Sequence, residues 1–356
     1  MTSLRYIAIA VVAGLLAGCQ AQEKPQAEAS AGVATSFWKI ATPAYSDVEG
    51  YRIIQAEGKT RHCYPVTNWV SGYGEDDYHN LHHHGVAVES ELMAYRIYFD
   101  KKQTIDVYCK RTPRLELAES YWYPNDSLLA AHYGDDILRV GGTVGVGTVK
   151  YWNGHLCHIT EVGERQQHIV RQTADTAVIA VTDIDWTVPD GKQDLPETRT
   201  IVNLHAEYTM CAGHRDMRCD VTVSERLEGL CTGVQRIKQS EVSHQLSEIS
   251  VQKLENGVVL SSWGTDWPVN DTVKYAKETV GLGVFIPKEF AGELVHDAKN
   301  NLCLLKLSAV KGKYEEDQYV AHFYLTCVGA TKEDKPVATN AEEWEAYLRN
   351  WAAELR

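Results

Sequence analysis

The sequence has 356 residues, of which 35 are Lys or Arg and 48 are Asp or Glu, so that the formal net charge is −13. Phosphate binding needs clustered Lys and Arg, and the sequence contains no such run, which argues against a nucleic-acid partner. The length allows one large β domain or two packed sub-domains.

The N-terminal segment is typical of secretion. Arg5 precedes an apolar stretch at 6–16 that is long enough for a signal-peptide core and too short to span a bilayer. The stretch ends in the Leu-Ala-Gly-Cys pattern of a bacterial lipobox, so residues 1–18 are predicted to be a lipoprotein signal peptide. Cys19 would then carry the lipid, unless an ordinary signal peptide is cut nearby and leaves it as a free thiol.

The segment after Cys19 lacks large apolar side chains and is predicted to be a flexible tether over residues 19–35. Gln20 follows the cysteine where inner-membrane retention favours Asp. We therefore expect a protein of the bacterial cell envelope, anchored through its lipid to the outer membrane, on its periplasmic or its surface face.

Residues 36–356 are predicted to form one catalytic domain of mainly β structure, a large β-sandwich. Short segments with alternating polarity are separated by Gly, Asn, Asp and Pro along this region. The clearest predicted strands are 92–99, 104–110, 177–181, 200–208, 218–223, 258–262, 301–308 and 319–327. The turn-rich segment 183–197 could separate an N-terminal from a C-terminal half.

The last segment changes to helical spacing. Asn340 is a candidate N-cap, and five large side chains follow it on one helical face: Trp344, Tyr347, Leu348, Trp351 and Leu355. We expect a C-terminal helix that packs this face on the outside of a sheet.

Eight cysteines follow Cys19, and an even number in a secreted protein permits a disulfide framework. Their pairing cannot be derived from the sequence. The alternative is that they are buried as small apolar side chains with one or two bridges among them.

A histidine cluster is the most unusual feature of the sequence. His79, His82, His83 and His84 lie within six residues and are followed by Glu89. Imidazole binds zinc and exchanges protons near neutral pH, so His82, His84 and Glu89 are candidate ligands of a divalent metal, zinc or calcium. In an extended chain His82 and His84 share one face. The alternative is an exposed polar loop.

Two neighbouring predicted strands carry polar rows. Arg96 and Tyr98 share one face of the first strand, and Asp106, Tyr108 and Lys110 share one face of the second. A hairpin through residues 100–103 would place the rows side by side. Such a surface suits a carboxylated sugar, although a solvated sheet face would have the same pattern.

Two further candidates for substrate binding flank a glycine-rich stretch at 140–147. They are His132 and Trp152. The stretch lacks the spacing of a phosphate-binding loop, so close backbone packing or a ligand approaching the main chain explains the glycines better.

These motifs together resemble a known family. They are Glu89-Ser90-Glu91, Ala94-Tyr95-Arg96-Ile97-Tyr98, Ile105-Asp106-Val107-Tyr108, Asp136-Ile137-Leu138-Arg139-Val140-Gly141, Gly145-Val146-Gly147 and Trp152. The sequence resembles domain of unknown function 4861, which occurs largely in bacterial polysaccharide-utilisation loci. The resemblance implies a β-sandwich of galactose-mutarotase type that acts beside uronic-acid lyases and hydrolases. Many members have Trp-Glu-Asn-Asp where this chain has Val-Glu-Ser-Glu at 88–91; Glu89, Arg96 and Asp106 match motif positions.

The leading hypothesis is a carbohydrate-active enzyme that processes uronic-acid-containing oligosaccharides by elimination, as a lyase or a dehydratase. Elimination needs a cation at the carboxylate, a base and an acid. Arg96 is the candidate cation, one of His82, His83, His84 or Tyr108 the base, and Tyr98 or Tyr108 the acid.

Two alternatives remain open. A glycoside hydrolase would use Glu89 with Glu91 or Asp106 as paired carboxylates. A sugar-binding lipoprotein without catalysis would use the nine tryptophans as stacking platforms.

Overall fold

The computed structural model describes residues 32–40, 48–56, 59–67, 69–72, 77–191, 198–237, 250–313 and 316–355. The predicted signal peptide, Cys19 and residues 20–31 of the predicted tether lie outside the described residues.

The described chain is mainly β, as predicted. The strands are β1 Val33–Ser36, β2 Trp38–Ile40, β3 Arg52–Ala56, β4 Lys59–Pro65, β5 Trp69–Gly72, β6 Ala87–Ser90, β7 Met93–Ile97, β8 Ile105–Cys109, β9 Asp135–Asp136, β10 Lys150–Trp152, β11 Leu156–Cys157, β12 Glu164–Gln172, β13 Thr176–Thr187, β14 Ile201–Cys211, β15 Met217–Val223, β16 Leu230–Gln235, β17 Ser250–Lys253, β18 Gly257–Asp266, β19 Glu278–Pro287, β20 Ala291–His296, β21 Asn300–Leu305, β22 Ser308–Lys311 and β23 Asp317–Gly329. The helices are α1 Asp126–Ala130 and α2 Ala341–Glu354, with 3-10 turns at Asp77–Asn80 and His82–His84.

The strands form four sheets. The large sheet has ten strands, in the order β17-β18-β19-β23-β15-β14-β13-β12-β5 with β22 beside β23. The N-terminal sheet has the order β1-β6-β7-β8-β9, the second five-stranded sheet β11-β10-β16-β21-β20, and the small sheet β2-β4-β3. The strands paired within these sheets run antiparallel, as short loops between consecutive strands allow.

The large sheet and the N-terminal sheet share one hydrophobic core, which makes the fold a sandwich. Side chains alternate across β14, so that Leu204 and Ala206 are buried while His205 and Glu207 face outward. Tyr95 and Val107 of the N-terminal sheet belong to the same buried cluster as Leu204. Each large apolar side chain buried in this way contributes about 1.5–3 kcal/mol of transfer free energy.

The predicted C-terminal helix is confirmed. The Asn340 side chain accepts a hydrogen bond from the Glu343 amide at 3.0 Å and caps α2. Trp344, Leu348 and Trp351 are buried in a cluster with Val259, Phe285, Tyr324 and Val328 of the large sheet. The helix therefore covers the outer face of β18, β19 and β23.

Two predicted boundaries differ from the structure. β1 pairs with β6 from Val33 onward, so the sheet takes the last three residues of the predicted tether. β13 continues to Thr187 and pairs with β14, with Trp186 opposite Val202, so the segment 183–197 does not separate two halves. Its residues 192–197 lie outside the described residues.

The cysteines of the described chain favour the apolar alternative. Cys211 is disulfide-bonded, and the other seven are free. All of the free cysteines except Cys157 are buried: Cys63, Cys109, Cys157, Cys219, Cys231, Cys303 and Cys327. Among the described residues, none of the helices has the length and apolar character needed to cross a membrane.

Candidate active site

The predicted hairpin between β7 and β8 is confirmed, with Arg96 directly opposite Asp106. The Asp100 carboxylate stabilises the turn because it accepts hydrogen bonds from the amides of Lys102 and Gln103 at 2.8 and 2.9 Å. The polar rows lie on the face of the N-terminal sheet that points away from the core. They are buried rather than solvated.

Residues 114–123, which we call the strap, cover this polar face. Glu89 accepts hydrogen bonds from the amides of Glu116 and Leu117 at 2.8 and 3.0 Å. His83 donates through Nε2 to the Leu117 carbonyl at 2.7 Å, and His82 donates to the Ser120 carbonyl at 2.6 Å. The sheet thus holds the strap by its backbone.

Lys110 and Glu89 form a buried ion pair at 2.5 Å beneath the strap. The Lys110 ammonium also donates to the carbonyls of Ser90 and Arg114 at 2.5 and 2.6 Å, which satisfies its three donors. Burial lowers the pKa of Lys110, and the neighbouring Glu89 carboxylate opposes that shift. Glu89 and Lys110 are therefore occupied in holding the strap, and their catalytic and substrate-binding roles stay predictions.

Tyr108 is likewise occupied. Its phenol lies within hydrogen-bond distance of the Glu116 carboxylate, at 3.0 Å, and of the Gly134 carbonyl, at 3.1 Å. Burial and the Glu116 charge raise the pKa of Tyr108 well above its ordinary value. A phenol held in this way is a poor base, and the predicted role of Tyr108 as base or acid is not supported.

His82 and His83 have no exposed surface. Burial lowers the pKa of His82 to about 3 and that of His83 well below its ordinary value. Both rings donate hydrogen bonds to the strap, and their catalytic role stays a prediction. The segment is not extended, because it forms a 3-10 turn in which His83 and His84 adopt left-handed φ values of 61° and 65°.

The candidate metal ligands His82, His84 and Glu89 do not lie together in a metal-binding arrangement. Glu89 is bound to Lys110 and to two backbone amides. Within the described ranges, no three side chains of His, Cys, Asp or Glu are arranged to hold a metal ion.

Arg96 lies at the centre of a buried charge cluster. One terminal nitrogen, Nη2, contacts Asp106 at 2.6 Å and Asp136 at 2.9 Å, and the other, Nη1, donates to the Trp122 carbonyl at 2.6 Å. Only 1% of Arg96 is exposed. Its guanidinium is already paired with carboxylates, so the predicted direct grip on a substrate carboxylate is not supported by this geometry.

The two carboxyl groups of this cluster share one cation. Burial raises the pKa of Asp106, and burial together with the Asp106 charge raises the pKa of Asp136 well above its ordinary value, while Arg96 opposes both shifts. Two like charges at one guanidinium cannot both be fully neutralised. Arg96 contacts both carboxyl groups through the same nitrogen, so one guanidinium faces two acidic side chains.

Two phenols lie beside the cluster. Burial and the charges of Asp106 and Asp136 raise the pKa values of Tyr98 and Tyr123, with Arg96 opposing both shifts. Both side chains are half-buried. They provide hydroxyl groups at the outer edge of the buried charges.

His84 lies between two aromatic rings. Its imidazole stacks on Trp122 with centroids 4.1 Å apart and on Tyr98 at 4.9 Å. Burial lowers the pKa of His84 well below its ordinary value. The ring hydrogen-bonds to the Tyr78 backbone, and its Nδ1 has no partner.

The loop between β18 and β19 forms a rim near these side chains. Tyr275 contacts Tyr123 with ring centroids 5.8 Å apart, and the Lys274 ammonium lies 5.5 Å from the centre of the Tyr275 ring. We define the candidate active site as His84, Arg96, Tyr98, Asp106, Trp122, Tyr123 and Asp136.

The remaining predicted residues lie elsewhere. His132 is half-exposed and pairs with Asp334 at 2.7 Å. Trp152 packs with Val144 and Cys231 against the second five-stranded sheet. The described contacts connect neither residue to the candidate active site, which corrects their predicted role in binding substrate there.

Sequence reasoning brought His84, Arg96, Tyr98 and Asp106 together but missed three members of the site. Asp136 lies within a motif of the family resemblance, which is the signal that could have found it. Trp122 and Tyr123 belong to the short aromatic run 121–123. That run has no neighbouring periodic pattern to indicate which face it covers.

Comparison with known proteins identifies the family. The model of Domain of unknown function (DUF4861) matches residues 22–356, nearly the whole chain, and the chain belongs to this family. No curated protein matches the sequence.

Two solved structures from Enterococcus faecalis are similar to the described fold. One is an alpha-mannosidase of strain V583, with 9% identity over 92% of this chain and 40% of that chain, and a TM-score of 0.36. The other is a protein of Glycosyl Hydrolase Family 38, with 10% identity over 92% and 41%, and the same TM-score. The chain thus spans about two fifths of the length of these proteins.

Proposed function

We propose that this DUF4861 protein is an enzyme that processes uronic-acid-containing oligosaccharides by elimination, and that the candidate active site carries the reaction. One observation supports this most directly. Two phenols, Tyr98 and Tyr123, flank a buried cluster in which the Arg96 guanidinium contacts Asp106 at 2.6 Å and Asp136 at 2.9 Å.

Elimination beside a carboxylate requires a base, an acid for the departing oxygen and stabilisation of the charge that develops on the carboxylate. His84 is 7% exposed, whereas His82 and His83 have no exposed surface, and its Nδ1 has no hydrogen-bond partner among the described residues, so we assign it as the base. The Tyr98 phenol stacks beside it and is half-buried at the edge of the cluster, so we assign it as the acid that gives its proton to the departing oxygen.

The charge cluster supplies the third requirement. A carboxylic acid that stays protonated in a buried site donates a strong hydrogen bond to a developing anion. In our proposal the Asp106–Asp136 pair, oriented by Arg96, donates this bond to the substrate carboxylate. Lys274 at the rim attracts the anionic substrate from solution.

A glycoside hydrolase is the second candidate, because Asp106 and Asp136 are themselves paired carboxyl groups with raised pKa values. The pair that the sequence suggested, Glu89 with Glu91 or Asp106, is not available, since Glu89 is bound to Lys110. Products separate the two chemistries: elimination gives an unsaturated sugar that absorbs in the ultraviolet, whereas hydrolysis adds water and a reducing end.

The test is incubation of the purified protein with a panel of uronic-acid oligosaccharides, followed by mass spectrometry and ultraviolet absorbance. We expect an unsaturated product, and Tyr98→Phe should lower kcat by about 100-fold or more because it loses the acid. Tyr319→Phe, a half-buried tyrosine of β23 outside the site, is the matched control and should keep full turnover.

If the product has a new reducing end and the added mass of one water, the reaction is hydrolysis and not elimination. Turnover in Tyr98→Phe equal to that of the wild type would remove Tyr98 from the reaction.

A further inference from the structure

A basic groove lies away from the candidate active site, between the β17–β18 turn and the edge strand β20. The hollow measures about 440 Å³. Lys253, Lys288 and Lys306 line it together with apolar side chains that include Leu254, Val258 and Leu294. This volume lies within the range of ordinary ligand sites.

The charge of the groove is opposite to that of the whole chain. Three ammonium groups line it and no carboxylate does, although the chain carries a net charge of −13. All three lysines are exposed, and no ion pair or hydrogen bond involves their ammonium groups among the described residues. The groove therefore presents uncompensated positive charge.

The backbone fixes the positions from which these lysines project. The Lys288 amide donates to the Asn256 carbonyl at 3.0 Å, and the Lys306 amide donates to the Phe290 carbonyl at 2.9 Å. The Leu254 amide donates to the Gly257 carbonyl at 2.8 Å and closes the β17–β18 turn, which begins directly after Lys253. Three different chain segments thus hold three cations around one hollow.

The groove and the rim loop lie at opposite ends of the β18–β19 hairpin. β18 runs for ten residues from Gly257, which lines the groove, to Asp266, next to the rim loop. At the usual rise of a strand this separates the two places by about 30 Å. A ligand in the groove is therefore not the sugar unit that contacts Tyr98.

We propose that this groove is a separate binding site for an anionic segment of a polysaccharide, with carboxylated or sulfated sugar units. The three ammonium groups pair with the anions, and the apolar side chains contact the C–H faces of the sugar rings. A concave hollow suits a chain that enters it, whereas the plane of an anionic membrane would contact lysines on a convex surface. This inference does not depend on elimination chemistry at Tyr98.

The experiment measures binding of a size-fractionated oligogalacturonate and a sulfated dextran oligosaccharide by isothermal titration calorimetry, at low and at physiological salt. The variant is Lys253→Gln/Lys288→Gln/Lys306→Gln in the Tyr98→Phe background, so that turnover does not consume the ligand. We expect its affinity for at least one probe to fall about tenfold or more, and the wild-type affinity to fall as salt rises.

The matched control is Lys299→Gln/Lys335→Gln, which removes exposed lysines outside the groove. It should bind as the parent does, and unchanged melting temperatures should show that both variants fold. Uncharged dextran should not bind.

Equal binding of both anionic probes by the triple variant would overturn the proposal. So would a triple variant that loses binding only to vesicles of anionic phospholipid, because the groove would then be a membrane contact. Loss of activity in Tyr98→Phe, measured separately, tests the active site, so the failure of one proposal is distinguishable from the failure of the other.

Discussion

The outer faces of the two main sheets have the same sequence pattern and different chemistry. On the N-terminal sheet, Glu89, Arg96 and Asp106 alternate with core residues and are at most 1% exposed under the strap. On the large sheet, His205 and Glu207 alternate in the same way, but their side chains are 12% and 21% exposed. A polar row is buried when a separate segment covers it, and the sequence pattern of the strand does not decide this.

Burial changes what such groups do. On the large sheet the His205 Nδ1 lies 2.8 Å from the Thr182 hydroxyl, and its Nε2 lies 3.1 Å from Glu207. Water reaches these groups and screens their charges, so their pairing contributes little to the free energy of unfolding. Under the strap the histidines are desolvated, and burial lowers the pKa values of His82 and His83. The buried Glu89 carboxylate and Lys110 ammonium depend strongly on each other.

The largest expected loss of stability comes from breaking the buried ion pair between Glu89 and Lys110. Glu89→Gln leaves the Lys110 ammonium buried without its counter-ion and weakens the hold on the strap, so we expect a loss of about 3–5 kcal/mol in the free energy of unfolding. The control on the large sheet, Glu207→Gln, should lose about 1 kcal/mol or less. Urea denaturation of both variants measures the difference, and equal losses would contradict the distinction between the two faces.

Arg96→Lys should have the next largest effect. An ammonium cannot reproduce the planar contacts with Asp106, Asp136 and the Trp122 carbonyl, and losing one charge-assisted bond costs about 1.5–3 kcal/mol. Thermal and urea unfolding would show this loss. A variant as stable as the wild type would mean that the cluster does not hold the strap.

Acid should weaken the protein through His82. Its pKa is about 3 in the folded state and 6.5 in the unfolded state, so the unfolded state binds more protons between these values and stability falls as pH decreases below 6.5. One such group contributes a loss of about 2 kcal/mol between pH 7 and pH 5. His82→Gln keeps a hydrogen-bond donor for the Ser120 carbonyl, and it should remove the share of the stability loss between pH 7 and pH 5 that His82 causes.

Urea unfolding at pH 7 and pH 5 measures the His82 effect. His168→Gln on the large sheet is the comparison, and we expect a smaller change there because that ring is only half-buried. An identical pH dependence in the wild type and His82→Gln would contradict the assignment.

The smallest effect is expected at the exposed end of the large sheet. Arg218 and Asp220 form an ion pair at 2.6 Å, with side chains 30% and 44% exposed. Asp220→Asn should change the free energy of unfolding by about 0.5 kcal/mol or less. A loss of several kcal/mol would show that this face is covered in solution.

The sequence was sufficient for the features that depend on local spacing. Period-two alternation predicted β7, β8 and a hairpin that places their polar rows side by side, and helical spacing after Asn340 predicted α2. It was insufficient for the strap. Its contacts involve carbonyl and amide groups, which every residue carries, so residues 114–123 have no periodic signature.

The histidine cluster was misinterpreted for a related reason. A 3-10 turn with two left-handed residues turns His82 and His83 into the protein, and neither conformation can be inferred from the residue types. Asp136 joins Arg96 from a strand 40 residues further along the chain, a contact that depends on how β9 pairs with β8.

The way in which the strap is held has a consequence for how the site can diversify. Glu89, His82, His83 and Arg96 bind main-chain atoms of the strap, so the side chains at Ser120 and Tyr123 carry little of the attachment. Trp122 differs, because its indole N–H donates to the Leu81 carbonyl at 3.1 Å. Exposed side chains of the strap can therefore be replaced while its backbone attachment to the sheet is kept. Evolution or a designed library can replace side chains of the strap to accept another sugar, while the residues that bind its backbone stay the same.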